Sequence, residues 1–534
     1  MRRITTARAA STTTTTTSLL EQTRGRIFLD GAYHPTATTL PVHSPRDGLA
    51  FTSIGHASAA DVDAAVLSAR RCFENDSHKW SDASRLPQRT EAMRKVAQAI
   101  RKPDMLRALT NLETLDCGKP LVEAEADMLA CADYFEYFGD IAPRVLATEE
   151  LPTGSDEPFK ASLVKDPVGV VGCVTPWNYP LMQAVLKVAP AIAAGCSVVL
   201  KPSPSASLTC LALGQICADA GFPPGALNVV TGGPPDVDGQ GLNTGQTLID
   251  HGGLDKLSFT GSGAAGKAML TASVPHLRPT SLELGGKSPA VVFDDARDIM
   301  PALIDWLMVG IFCTSGQICS ATSRLIVEAS LHDELVDRLV QAAANLRVGD
   351  PLAPNTQMGP LVSLAQKQNV EAALDRAADQ GATVISPPAS LACLKDGALD
   401  GGYYVPPTIL TNVPLDSDAW VEEIFGPVLC VSSFTTEQEA VELANTTDYG
   451  LAAAVFSSDV QRCASVASQL EAGVVWQNCS QVLFNTTPFG GRKKSGFGHE
   501  LGVAGLEEYV AKKSVVEALD GYSWEWYGEV SQPN

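Results

Sequence analysis

Apolar and polar positions along the chain fall into stretches of different period. From Asp61 to about Phe138 apolar residues recur at three and four spacing, in AAVLSARRCF, RTEAMRKVAQAIR and EADMLACADYFEYFGD. That spacing predicts helices with one covered face. At Gly169 the rhythm changes to short β-branched runs alternating with helical stretches: GVVGCVTP, a helix through Lys187, CSVVLKP, a helix from Ser205 to Ala220, ALNVVTG and KLSFTGS. Gly221, just past the second of these helices, suits a left-handed C-terminal cap. Strand and helix alternation implies right-handed crossovers, a parallel sheet, and ligands at the carboxyl ends of its strands. A second unit of the same kind follows from about Gly285, with strands predicted at SPAVVF, SRLIVEA, ATVIS, VLCVSSF, AAAVFSS and GVVWQN. Two α/β units imply a cleft between them.

Length agrees with this division, since 534 residues exceed what one ordinary core organises. The longest apolar stretches, 180–200 and 302–313, are interrupted by Gln183, Lys187 and Asp305. They read as buried elements, and no membrane association is expected. A net charge of −21 repels phosphate backbones, so nucleic acid is not an expected partner. Thirteen cysteines are too sparse for a disulfide scaffold, and they lack the paired spacing of a zinc site, so no metal is expected. The first twenty residues carry three arginines, threonine from Thr12 to Thr17, and no acid before Glu21. This is the composition of a mitochondrial or plastid leader, the alternatives being a disordered tail and a cytoplasmic protein, with ordered structure starting near Arg26.

Four short segments carry candidate chemistry. LSFTGSGAAG places Gly261, Gly263 and Gly266 between a strand and a helix, a fingerprint for a dinucleotide whose pyrophosphate rests on a helix N-terminus. By itself the pattern is equally well explained by tight packing. Ser315-Gly316-Gln317-Ile318-Cys319-Ser320 sets a thiol among small and polar residues, where an isolated cysteine is ordinarily a small hydrophobe. In Leu282-Glu283-Leu284-Gly285-Gly286-Lys287 an acid lies between leucines; desolvation there raises a carboxyl pKa into the range of a general base, although such a residue is more often half of an ion pair. Thr175-Pro176-Trp177-Asn178-Tyr179-Pro180 follows a strand, and the Asn178 amide could donate to a developing oxyanion or simply shape a turn.

Taken in order, the four segments resemble the NAD(P)-dependent aldehyde dehydrogenase superfamily from about Arg26 to Tyr527. Lys201-Pro202-Ser203, Glu423-Ile424-Phe425-Gly426-Pro427, Pro488-Phe489-Gly490-Gly491, Lys494-Ser495-Gly496 and Glu500 extend the match. SLELGGKSPAVVF, GQICSATSRLIV, KKSGFGHELG and Trp524-Glu525-Trp526-Tyr527 are most similar to the betaine aldehyde and ω-aminoaldehyde branch. The resemblance implies an α/β fold with a Rossmann-type cofactor domain, an α/β catalytic domain and a small β oligomerisation element. The expected division is a leader or tail over 1–25, a cofactor-binding domain over 26–148 and 168–284, a catalytic domain over 285–502, and a bridging element with tail over 149–167 and 503–534. It further implies Cys319 as nucleophile, Glu283 as general base, and the Asn178 side chain with the Cys319 backbone N–H as oxyanion hole. Glu283 is then not a ribose-binding acid. Thr175, Trp177, Lys201, Ser203, Pro204, Gly261, Ser262, Leu284, Glu423 and Phe425 are implied to hold the cofactor. The activity implied is oxidation of a small aldehyde to a carboxylate through a cysteine thioester, in a homodimer or homotetramer.

Departures from the branch modify these expectations. Pro204 stands where many NAD-preferring relatives carry a glutamate that repels a 2′-phosphate, so NADP is expected to serve alongside NAD. Of the implied substrate-lining positions, Tyr179 is retained. Leu186, Cys313 and Phe489 replace aromatic residues of the box, Leu483 is a further lining position, and on the helix after Gly118-Lys119-Pro120 a Trp-Asp pair of the branch is replaced by Ala126-Asp127 and a further acid by Ala130, so that of those three branch residues Asp127 alone is retained. Loss of aromatic faces weakens cation binding, which favours neutral or longer aliphatic aldehydes over betaine aldehyde. The spacing from Glu283 to Cys319 is longer than in the family, with the extra length expected in a surface turn near Ala296 to Met300. Alternative readings are a catalytically silent structural or binding member of the fold, which intact Cys319 and Glu283 argue against, and a CoA-acylating enzyme, against which Glu283 favours water.

Overall fold

The computed structural model describes residues 15–74, 80–154, 158–234, 243–387, 397, 399–519 and 521–522. The leader residues before Thr15 and the Trp524–Tyr527 motif lie outside them. In chain order, helices α1 (Pro103–Cys117) and α2 (Leu121–Val145) precede strand β1 (Phe159–Pro167). The predicted alternation follows: β2 (Val170–Thr175), α3 (Pro180–Ala194), β3 (Ser197–Pro202), α4 (Leu208–Asp219), β4 (Leu227–Val229), β5 (Lys256–Thr260), α5 (Gly263–Ser273) and β6 (Thr280–Glu283). Gly221 takes up φ +102° just beyond α4, as its place predicts.

These strands stand side by side as β4-β3-β2-β5-β6, all parallel. Buried on both faces, β2 and β3 are near-continuous runs of Val, Leu and Cys, and α3 is buried at every position except Met182. The order reverses at β2, so the carboxyl ends of β2 and β5 open a crevice for a ligand. The second sheet runs Thr383–Ile385, Thr408–Thr411, Val428–Phe434, Arg324–Glu328, Pro289–Val292, Ala452–Phe456 and Val474–Gln477, with separate cores on its faces. A third, antiparallel sheet joins Glu149–Leu151, β1 and β7 (Val510–Ala518).

Two expectations are corrected, and a third, the surface turn near Ala296, agrees with the structure. Ordered structure does not wait for Arg26: residues 15–23 are helical, and Leu19, 6% exposed, packs into the first core. The 285–502 stretch does not stay in the second unit. Gly496–Phe497 pairs with Leu282 and Glu283 at the edge of the first sheet, and Phe489, Leu501 and Leu506 join the first core, because the chain crosses back before β7. The extra residues near Ala296 form a 3-10 turn, Asp294–Ile299, whose Arg297 and Asp298 face solvent while Ala296 and Met300 are buried anchors. The stretch Asp294–Gly316 is apolar enough by composition to cross a bilayer. It is built from that turn, the helix Met300–Phe312 and a second turn, with Leu303, Leu307 and Ile311 packed in a protein core.

Candidate active site

Asn178 sits where β2 gives way to α3, one residue before the Tyr179 N-cap. It is 4% exposed, and its Nδ2 donates to the Gln317 carbonyl at 2.8 Å. A carboxamide nitrogen carries two hydrogens, so one N–H remains beside the segment that ends in Cys319. That segment reverses sharply: Thr314, Ser315 and Gly316 have φ of 49°, 56° and 73°. A Cβ on Gly316 would lie 2.1 Å from the Gly426 carbonyl, so glycine is required both by conformation and by space. Ser315 Oγ donates to the Gly359 carbonyl at 2.8 Å, and Gln317 Oε1 accepts from Val362 N at 3.0 Å, which hold the reversal in place. Such left-handed, non-glycine geometry persists only when neighbours enforce it.

Glu283 ends β6 beside Thr260 and is 5% exposed. Neither carboxylate oxygen has a hydrogen-bond partner among the described residues. Burial, then the negative Glu500, pushes its pKa well up, opposed by Lys187. The ion-pair alternative for Glu283 is therefore not the arrangement found. Lys187 is bonded instead to Glu500 and, at 2.8 Å, to Thr260 Oγ1. The Cys319 thiol is also pushed up, by burial and by Glu423, Glu283 and Glu500. Its resting form is protonated, and catalysis needs a proton acceptor nearby.

One cavity of about 250 Å³ brings together two of the predicted catalytic residues, Asn178 and Cys319, and six of the predicted cofactor residues, Trp177, Gly261, Ser262, Leu284, Glu423 and Phe425. Ser262 caps α5, accepting from Ala265 N at 3.3 Å, and nothing lies near Gly263 that would obstruct a phosphate at this helix N-terminus. A Cβ at Gly285 would lie 2.3 Å from Glu423 Oε2. Glu423 accepts from Gly286 N at 3.1 Å, and burial raises its pKa to about 7. The Trp177 and Phe425 rings meet edge to face at 5.2 Å. The chemistry of this wall, with glycines, backbone N–H groups, two aromatic rings and one carboxylate, fits a dinucleotide. Thr260 and Gln366 also line it and escaped the sequence reading. Gln366 donates to the Phe425 carbonyl at 2.9 Å from a helix over 100 residues downstream of α5, and no local pattern signals that approach.

The remaining cofactor candidates lie elsewhere. Thr175 is buried at the end of β2. Lys201 is buried beside Gly245, with burial drawing its pKa down to about 8. Pro204 lines a separate cavity of about 310 Å³ with Val42, His43, Gly233 and Tyr403, while Ser203 Oγ accepts from Ser205 N at 3.3 Å. On the aldehyde side, Leu186 and Phe489 are packed in the first core, against which Cys319 also rests. Leu483 is 38% exposed. Cys313 lines a cavity of about 460 Å³ with Glu123, Met308, Val309, Phe312 and Arg347. Asp127 is buried and bonded to Lys119. Among the described residues no cluster of three metal-ligating side chains occurs, and the described cysteines are free thiols.

Comparison with known proteins gives concordant results. Residues 33–515 match the aldehyde dehydrogenase family. Aminoaldehyde dehydrogenase 2, peroxisomal, of Pisum sativum is 42% identical over 508 residues, covering 94% of this chain and 97% of its own. The chloroplastic betaine aldehyde dehydrogenase of Atriplex hortensis is 42% identical over 510 residues, covering 94% and 98%. Among solved structures, betaine aldehyde dehydrogenase from Staphylococcus aureus in complex with NAD+ superposes with a TM-score of 0.88 at 35% identity, covering 96% of this chain and 98% of that one.

Proposed function

The chain belongs to the aldehyde dehydrogenase family, and from that premise we propose that it oxidises small, predominantly neutral aliphatic aldehydes to carboxylates with NAD, accepting NADP as well. The observation that carries the reading is one cavity presenting the Cys319 thiol, the Asn178 amide and the glycine-lined N-terminus of α5 together. The S. aureus relative was solved with NAD+; in this chain Gly261, Ser262, Trp177, Glu423 and Phe425 would hold such a dinucleotide, whose nicotinamide supplies a hydride acceptor when bound.

In this mechanism Cys319 loses its proton to a base and its sulfur adds to the aldehyde carbon. The second N–H of Asn178 and the Cys319 backbone N–H receive the developing oxyanion, which donors fixed in advance stabilise without reorganisation. Collapse of that adduct to an acyl group on Cys319 expels the aldehyde hydrogen as hydride, for which a bound nicotinamide would be the acceptor. Glu283, buried and unpaired, removes a proton from the water that attacks the thioester, and the carboxylate departs as the thiol is restored. Retention of this base favours hydrolysis over transfer to CoA.

A coenzyme-resolved substrate series tests the proposal. Hexanal should be oxidised with kcat/KM above that for betaine aldehyde, and the ratio of NAD to NADP should stay below about 100-fold, or 2.7 kcal/mol. A clear lead for betaine aldehyde, or a larger coenzyme ratio, would overturn the corresponding part. Among the described residues one edge of β7 in the third sheet has no strand partner, which supports a homo-oligomer. An organellar setting is supported by relatives named peroxisomal and chloroplastic. The Atriplex relative favours the plastid for the arginine- and threonine-rich start, in preference to the mitochondrion.

A further inference from the structure

A carboxamide from far along the chain holds the residue that follows the proposed nucleophile. Gln481, 161 positions after Ser320, accepts from Ser320 Oγ at 2.7 Å through Oε1 and donates from Nε2 to the Ser320 backbone carbonyl at 3.0 Å. Its Nε2 also donates to Ser480 Oγ at 3.3 Å. A backbone carbonyl can only accept, so the orientation of the amide is fixed. Gln481 takes up φ +61° in this position, and Asn478 before it φ +56°. Non-glycine residues keep such angles only where neighbours enforce them. Here Asn478 exchanges two hydrogen bonds with the Ser457 backbone, at 3.0 and 2.9 Å, and the Val482 carbonyl accepts from Trp476 Nε1 at 2.8 Å. The loop after Val474–Gln477 is thus anchored on both sides of Gln481.

This clamp bears on the peptide between Cys319 and Ser320. The carbonyl of that peptide lies over Gly286, where a Cβ would come within 2.4 Å of it. Its N–H, that of Ser320, donates toward the Cys319 sulfur. Burial disfavours a thiolate here, as do Glu423 from the turn before Val428–Phe434, Glu283 at the end of β6, and Glu500 from the returning chain. The Ser320 N–H acts in the opposite sense. We propose that Gln481 is a positioning residue for Cys319: by holding Ser320 through both its hydroxyl and its carbonyl, it keeps the Ser320 N–H aimed at the sulfur, so that the thiolate can form and attack. A hydrogen bond to a charged acceptor is stronger than one to a neutral acceptor, so a donor held in place favours the thiolate over the thiol. A loosened donor loses that preference. The inference rests on the reading of Cys319 as nucleophile.

The experiment follows iodoacetamide alkylation at Cys319, located by peptide mass spectrometry, and the hydride burst with hexanal, in wild type, Gln481→Met and Ser320→Ala. Folding is checked by circular dichroism and NAD affinity by fluorescence titration. Gln481→Met keeps the length of the side chain and loses both bonds to Ser320. At neutral pH it should alkylate about tenfold more slowly, with the burst slowed by a similar factor, KM for hexanal unchanged and NAD bound as in wild type. Ser320→Ala, which breaks one of the two bonds, should fall between them, and it decides the matter if Gln481→Met does not fold. Alkylation at the wild-type rate or faster overturns the role of Gln481. So does a loss of alkylation matched by an equal loss of NAD affinity, which marks a general loosening of the site. A wild type that alkylates at Cys319 yet oxidises no aldehyde overturns the enzyme reading instead, and the alkylation rates alone then decide the clamp.

Discussion

Glu283 shows how a residue acquires a role from what surrounds it. Its sequence context, an acid between two leucines, announces desolvation; the structure adds that both oxygens lack partners and that Glu500 repels its charge. A carboxyl raised in this way is protonated at pH values where an ordinary glutamate, near ~4.3, is ionised. Its ability to act as a base is therefore gained as pH rises. Multiple-turnover kcat should climb through a midpoint above that ordinary value, and Glu283→Gln should abolish this limb while preserving the first hydride burst. Steady-state turnover should then fall by about 10²-fold or more with accumulated acyl-enzyme, as read by stopped-flow absorbance and quenched-flow product analysis. A variant turning over at the wild-type rate would remove Glu283 from the mechanism. The proposed roles of Cys319 and Asn178 came from the ordered set of motifs and the resemblance it carries, since each motif alone had an ordinary structural reading. The burial of Lys119 was not legible, because a lysine after a glycine turn reads as an exposed charge, and only the packing of α2 against Tyr179 makes it a buried one.

At the scale of elements, α1 governs both helix starts that border the site. Glu113 accepts from Leu181 N at 3.3 Å in the first turn of α3 and from Thr209 Oγ1 at 2.5 Å in the first turn of α4. Asp116 accepts from Leu208 N at 2.8 Å, where α4 begins. Carboxyl groups are favoured at helix N-termini, but complete burial pushes Asp116 up to about 8 and Glu113 up to about 7. Because these folded-state values exceed the unfolded ones, the folded protein holds the extra protons. The stability they contribute is full below the ordinary carboxylate range and declines as pH rises through the folded values. Asp116→Asn, which keeps an acceptor and cannot titrate, should match wild type within about 1 kcal/mol at pH 5, and gain on it by pH 9 in denaturant titrations. Parallel pH profiles for the two proteins would contradict this. Periodicity revealed α2 and the βαβ alternation, because those elements are long or strongly apolar. It passed over Arg26–Leu29, Ala32–Pro35, Thr38–His43 and Ala50–His56. These four strands are short, mixed in polarity, and stabilised by antiparallel partners rather than by their own pattern.

At the scale of the whole molecule, β7 is the feature that asks for a partner chain. It is nine residues long, pairs among the described residues with β1 alone, and exposes Val515 and Val516. Long apolar edges are a template for pairing and are seldom left open in a stable monomer. Light scattering should find the wild type larger than a monomer, and Val515→Lys with Val516→Lys should shift it toward monomer while leaving the far-UV spectrum unchanged. A wild-type monomer, or an unshifted variant, would refute the interface.

The amino-acid sequence by itself determined the α/β class and the family resemblance, and it supplied the two-unit reading and the proposal of Cys319, Glu283 and Asn178 as nucleophile, base and oxyanion amide. Those features rest on local period and on short motifs whose chemistry travels with them. Tertiary structure alone decided that Gln366 and Thr260 join the cofactor wall, that residues 489–509 return to the first core, that Leu19 belongs to the folded body, and that Asp127 is neutralised by Lys119. Each of these depends on segments far apart in the chain being packed together, and the charge state, partner and exposure of a side chain are properties of that packing rather than of its neighbours in sequence.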